Sequence, residues 1–253
     1  MLRLILLLLT SAFFFTANIQ ALEISVANPP ATEFTKLEYQ LVESSGLLSL
    51  SQQVKYSAQR LIAASIDRPD AGAASGKATI NQAQHFAIAK QLAKRWTEDQ
   101  WQQRLLVRIH QMPVKTQKLI QQQLAQPMVQ AAQRKELAAI GVQSDPAYRV
   151  YINKLRQRPP AASRWKLVEN LDQQSGFSQI IIQARLAVIK EIKQQVKGWQ
   201  PEESWQKQAR QDVLEFLFYA YRKTPNSELK HIADSFNQPA LNKFYKDVLN
   251  TIN

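Results

Sequence analysis

Apolar residues recur along this chain at helical spacing, and no stretch of useful length alternates apolar and polar positions as a half-buried strand would. Phe34, Leu37, Leu41 and Val42 mark one face of a helix over Glu33 to Ser45, with Gly46 as its stop. A second helix, Ser49 to Ile66, carries Leu50, Val54, Ala58, Leu61 and Ile62 on one side. Phe86, Ile88, Leu92 and Trp96 place the next helix, started by Asn81 or Thr79. Thr97-Glu98-Asp99-Gln100 has capping spacing, so either a new helix begins there or the preceding one runs on. Leu105, Leu106 and Ile109 continue the stripe to Met112-Pro113; residues 114–125 and 128–140 then form two helices broken at Pro127, with Gly141 as the final stop. Asp145-Pro146 opens a helix through Tyr148, Tyr151, Ile152 and Leu155. Ser163 caps a helix that Gly176 closes, Ile180 to Val196 continues, and Gln200-Pro201-Glu202-Glu203 starts a long helix with acids in its first turn. The expected fold class is all-α.

The pattern repeats. Leu105 to Leu137 matches Leu217 to Leu249 at a constant offset of 112: Pro113 falls on Pro225, Ile120 on Ile232, Leu124 on Phe236, and Gln126-Pro127 on Gln238-Pro239. Ser45-Gly46-Leu47 falls on Ser175-Gly176-Phe177 at an offset of 130. Two tandem copies of a helical-hairpin unit are therefore expected, forming one compact or two-lobed domain. Residues 22–158 make the first copy and residues 159–253 the second, with the boundary at the stiff Arg158-Pro159-Pro160-Ala161-Ala162 segment. The larger offset of the earlier match requires extra chain in the first copy. Asp67 to Thr79, rich in small residues with two Gly and a Pro, reads as a mobile loop that supplies it.

Composition adds a location. Arg3, an apolar run from Leu4 to Phe15 and the small-residue end at Ala17 to Ala21 form a secretory signal with cleavage expected after Ala21, the run being too short for an ordinary membrane span. An exported, periplasmic or secreted protein follows, with no transmembrane span once the signal is removed. The chain has no Cys, which excludes disulfides and thiol catalysis. The net charge is +12. Residues 22–160 hold 18 basic and 10 acidic side chains, against 13 and 10 in residues 161–253. Such a protein meets anionic envelope surfaces or another envelope protein rather than nucleic acid, although surplus Lys and Arg also serve solubility alone.

Tyr221-Arg222, Ser227-Glu228-Leu229, Phe236, Gln238-Pro239 and Phe244-Tyr245 together resemble the domain of unknown function 2059 family of exported bacterial proteins, most strongly over residues 205–250. The resemblance implies an exported helical domain and makes Tyr221, Glu228, Leu229, Phe236, Pro239 and Phe244 structural positions. It implies no activity and no catalytic residue.

Candidate chemistry is sparse. His85, His110 and His231 form no metal-ligand motif; His231 and Asp234 share a face but lack a third ligand, so neither a metal nor another cofactor is expected. Glu98-Asp99 and Glu202-Glu203 are carboxylate pairs suited to acid/base work on a glycan, yet both fall at predicted helix starts, where the dipole already explains them. At about 100° per residue, Asp212, Glu215, Tyr219 and Arg222 fall on one narrow arc, so Glu215 reads as a solvated-face residue. Under the offset of 112, Arg104 and Arg108 replace Phe216 and Ala220; with Lys115 and Lys118 they form a candidate anion-binding patch, unless the helix is rotated to expose them. A second cluster, Arg149, Lys154, Arg156, Arg158, Arg164 and Lys166, is interleaved with Tyr148, Tyr151 and Trp165. It suits an anionic surface, or helix ends packed by aromatics with solvated arginines. The leading expectation is a non-enzymatic binding or interaction module at the envelope. The alternative is a hydrolase acting on an envelope polymer through a carboxylate pair.

Overall fold

The computed structural model describes residues 33–66 and 80–252. The expected signal and the expected loop over residues 67–79 lie outside the described residues. From Phe34 onward the chain belongs to one compact unit. Among the described residues there is no strand, and the helices in chain order are α1 (Lys36–Ser44), a 3-10 turn (Leu47–Ser49), α2 (Leu50–Ile66), α3 (Gln82–Arg95), α4 (Glu98–His110), α5 (Val114–Leu124) and α6 (Pro127–Gly141). They continue as α7 (Pro146–Gln157), α8 (Ala162–Ser175), α9 (Phe177–Gln195), α10 (Trp205–Ala220), α11 (Asn226–Phe236) and α12 (Pro239–Ile252).

Most helix starts follow from local chemistry. The Thr35 hydroxyl accepts from the Glu38 amide at 3.3 Å while the Glu38 carboxylate accepts from the Thr35 amide at 2.6 Å, a reciprocal capping box. Asn81 and Gln84 cap α3 in the same way. Thr97 accepts from the Gln100 amide, so the open choice resolves into a break at Trp96. Gly46 and Gly176 both sit in the left-handed region, at φ 73° and 67°, where an L side chain is strained. Several expected boundaries differ: α1 starts at Lys36 behind its Thr35 cap rather than at Glu33, and α9 starts at Phe177, directly after Gly176, rather than at Ile180. Ser163 is no cap: α8 starts at Ala162, directly behind the two prolines and the extended Ala161, with no side-chain cap bond. The long helix starts at Trp205, whose amide donates to the Glu202 carbonyl in a preceding turn, so Glu202 and Glu203 lie ahead of the helix. Gly141 remains helical and Val142 caps α6.

Helix boundaries recur at the sequence offsets. Helices α5 and α11 begin at residues 114 and 226 and end at 124 and 236; α6 and α12 begin at Pro127 and Pro239. The hairpins nevertheless do not close on themselves. Helix α6 packs chiefly on α10 and α11, and α12 packs chiefly on α4, α5 and α9. Each hairpin therefore packs its second helix against elements of the other half, α12 also against α9 of its own. Between the halves, α9 lies against both α2 and α3.

The core runs continuously through both halves. Trp96 and Trp101 are fully buried with ring centroids 5.6 Å apart, and the Trp101 indole N–H is satisfied by the Leu47 carbonyl at 2.7 Å. Helix α10 is buried continuously from Val213 to Ala220, because α6, α7, α8 and α9 cover it from different sides. Each Leu or Phe so buried contributes about 1.5–3 kcal/mol before the entropy of ordering is subtracted.

Candidate functional site

A cleft of about 460 Å³ opens where α2, α7, α9 and α10 meet beside the turn after α6. Its walls include Tyr56, Tyr148, Phe177 and Phe216, with Phe177 and Phe216 stacked at 5.6 Å. Its floor carries two arginine–carboxylate pairs. Arg156 of α7 donates from Nε and Nη2 to the two oxygens of Glu215, both at 2.7 Å, and Arg185 of α9 donates from Nη2 to Asp212 Oδ2 at 2.6 Å. Gln211 and Gln208 supply further donors to Glu215 and Asp212. Every oxygen of the two carboxylates thus accepts an N–H. Arg185 is 7 % exposed and its Nε–H is buried without an acceptor.

This geometry corrects the sequence expectation for Glu215. It is 3 % exposed, because α7 lies on the arc of α10 that was expected to face water. On that arc Tyr219 meets the rings of Tyr148 and Tyr151 at 4.8 and 5.3 Å, and the Arg222 guanidinium stands 3.9 Å over it. The basic cluster around the interhelix link is likewise committed to packing in part. Arg164 donates to the Tyr221 carbonyl and to Asn226, Tyr151 donates to the Phe218 carbonyl, and Trp165 lies 4.9 Å from Phe218. Arg149, Lys154, Arg158 and Lys166 are exposed, and Arg149 stands at the cleft.

Of the candidate anion patch, Arg104 donates to the Arg95 carbonyl at 3.0 Å and its guanidinium lies 5.2 Å from the Trp96 ring. Burial, with the neighbouring Arg95, lowers its pKa. Arg108 donates to Gln111 and stands 3.9 Å from Asp247 of α12. Lys115 and Lys118 are exposed on α5. The two arginines thus hold α4 to its neighbours, and the lysines stand apart from those bonds. The paired acids Glu98-Asp99 and Glu202-Glu203 are exposed and do not line the cleft. Among the described residues no group of three metal-ligating side chains converges; His231 and Asp234 are exposed. His110 meets Glu38 at 2.9 Å instead.

The residues of the family resemblance build a joint. Tyr221 is fully buried and donates to Glu136 of α6 at 2.7 Å, while Lys135 next to it donates to Thr224 and to Glu228 at 2.8 and 2.6 Å. Leu229, Phe236 and Phe244 are core, and Pro239 opens α12 from an exposed position. Burial pushes the Glu136 carboxyl up to about 7 against the lowering bond from Tyr221. Burial, and then the adjacent Glu136, raise the Tyr221 phenol.

No family model, no curated protein and no solved structure matches the chain. Of the cleft arginines, Arg149 and Arg156 belong to the basic cluster read from the sequence, and Arg185 is the one that periodicity misses. The available signal is Arg185, a lone charge inside the apolar run Ile180 to Ile189, which needs a buried partner.

Proposed function

We propose that the protein is an exported, non-enzymatic binding module of the cell envelope whose ligand enters the cleft between α2, α7, α9 and α10. The observation that carries this is the lining of the cleft, where the aromatic side chains of Tyr56, Tyr148 and Phe177 meet Gln53, Gln143, Asn153 and the exposed Arg149 around one opening. Clefts of about 300–1,000 Å³ with a few convergent polar groups are the usual form of small-ligand sites. Export rests on the Leu4 to Phe15 run and the Ala21 cleavage point, and the aromatic and Glu-Leu spacings of residues 221–245 support membership of the domain of unknown function 2059 family. The matching helix boundaries support descent from one duplicated unit. Among the described residues no helix is long and apolar enough to cross a membrane, so contact with the envelope runs through the ligand, an anionic surface or another envelope protein.

The test is amide NMR on residues 22–253, titrated with soluble envelope glycans, lipid headgroups and peptides as separate arms. Signals of Ser57, Ser144, Asn153 and Arg185 shift with at least one arm while those of Lys115 and Lys118 stay. If no arm moves the cleft signals, the binding site is elsewhere and the proposal fails. Mass spectrometry of the exported protein gives Leu22 as its first residue.

A further inference from the structure

We propose that the ligand of the cleft is a short saccharide carrying one carboxylate per bound ring, an inference that rests on the cleft being the binding site. The charge pattern selects it first. Three arginines line the cleft against two carboxylates, and each carboxylate is matched to an arginine of its own. Arg149 forms no ion pair among the described residues and stands exposed at the opening. The cleft therefore presents one uncompensated positive charge at its rim over a floor that is polar and electrically balanced. A polyphosphate requires more free cations than this. A hydrocarbon chain strips water from Arg149 and Asn153 and offers them no partner, and an extended peptide finds no strand edge to pair with among the described residues.

A carboxylated pyranose meets each demand. Its hydroxyls offer donors or acceptors to the Gln53–Gln143 pair, Ser57 and Asn153. The apolar C–H face of the ring matches the aromatic walls, where Tyr56 and Tyr148 are half-buried. The carboxylate meets Arg149, a charge-assisted contact. Two envelope sources share this chemistry, a hexuronate polymer and an amino sugar bearing a lactyl ether.

The experiment is isothermal titration calorimetry at low salt and pH 7 on the full exported chain. Its arms are digalacturonate, N-acetylmuramic acid, their neutral counterparts galactobiose and N-acetylglucosamine, and sodium acetate alone. The inference expects one acidic sugar to bind one to one, at least tenfold tighter than its neutral counterpart, and acetate to give no heat. Which acidic arm binds identifies the source. Arg149→Gln removes the preference: the acidic sugar falls at least tenfold, to the affinity that the same variant has for the neutral one. Asn153→Ala removes an exposed amide from the lining and weakens both sugars. Circular dichroism establishes that each variant is folded. No heat from any saccharide at millimolar concentration overturns the inference, as does equal binding of acidic and neutral sugars insensitive to Arg149→Gln. Cleft NMR shifts with lipid headgroups or peptides alone overturn the saccharide and leave the binding site standing, whereas no shift with any arm overturns both.

Discussion

Glu136 sets a pH dependence from one side chain. Its carboxyl is raised from 4.5 to about 7, burial outweighing the bond from the Tyr221 hydroxyl. Between those values the folded chain holds a proton that the unfolded chain has released, so this group's contribution is fully present below pH 4.5 and is lost as pH rises through 7. Because Glu136 is only half-buried as a residue, the effect is discounted to about 1–2 kcal/mol. Glu136→Gln removes the slope: urea midpoints of variant and parent coincide near pH 4.5, and the variant is the more stable at pH 8. A parent midpoint that does not fall relative to the variant over that range contradicts the assignment. Glu38 has the opposite sign. Burial alone would raise it, but the Thr35 amide and hydroxyl and His110 outweigh that and hold it below the usual carboxylate range. Its contribution is present above about pH 4.5 and is lost as pH falls through the lowered value. Glu38→Ala lowers stability by about 1–2 kcal/mol at pH 7, a loss that shrinks on acidification in the same urea series.

At the scale of the element, Gly46 and Gly176 stand where a helix stops and the next begins. A Cβ added at Gly176 meets nothing within 4 Å, and at Gly46 the nearest atom is Gln133 Cγ at 3.7 Å, so the cost of Ala at either site is conformational. Gly176→Ala is expected to lower stability by about 1–2 kcal/mol and Gly176→Asn by less, read from urea midpoints. A neutral Gly176→Ala contradicts the left-handed conformation. These stops are legible in the sequence, as are the Asn81 and Thr97 starts, because each depends on residues within four positions; the Thr35 start is as local, although apolar spacing alone places it at Glu33. The burial of α10 is not. Periodicity places Glu215 and Tyr219 on the same arc, but it cannot know that α7, reached only through tertiary packing, covers that arc. The cleft pairs Arg156–Glu215 and Arg185–Asp212 join residues 59 and 27 apart and leave no local pattern. Arg104 and Arg108 are ambiguous in the sequence for a related reason: their length suits capping a carbonyl or covering an indole as well as binding an anion.

For the whole molecule, the exchange of α6 and α12 between halves makes each half incomplete. Without α12, Ile120 and Leu124 of α5 lose a main covering helix, and without α6 the joint around Tyr221 loses Glu136. Residues 33–158 and 159–253 expressed separately are expected to give little helical circular dichroism, and an equimolar mixture to recover the spectrum of the intact chain and elute as a one-to-one complex. Either half folding alone with a sharp thermal transition contradicts this. The same interlocking predicts one cooperative transition for the intact chain, with fluorescence and circular dichroism coinciding.

The exchange also has a consequence in time. Leu241 donates its amide to Gln123, 118 residues earlier, and Tyr245 donates its hydroxyl to Ser45, 200 residues earlier. During synthesis the first half emerges long before the helix that covers it, so its apolar faces wait exposed until the last turns are made. Such distant closures slow folding, which favours holdase capture and threading of an extended chain over premature collapse.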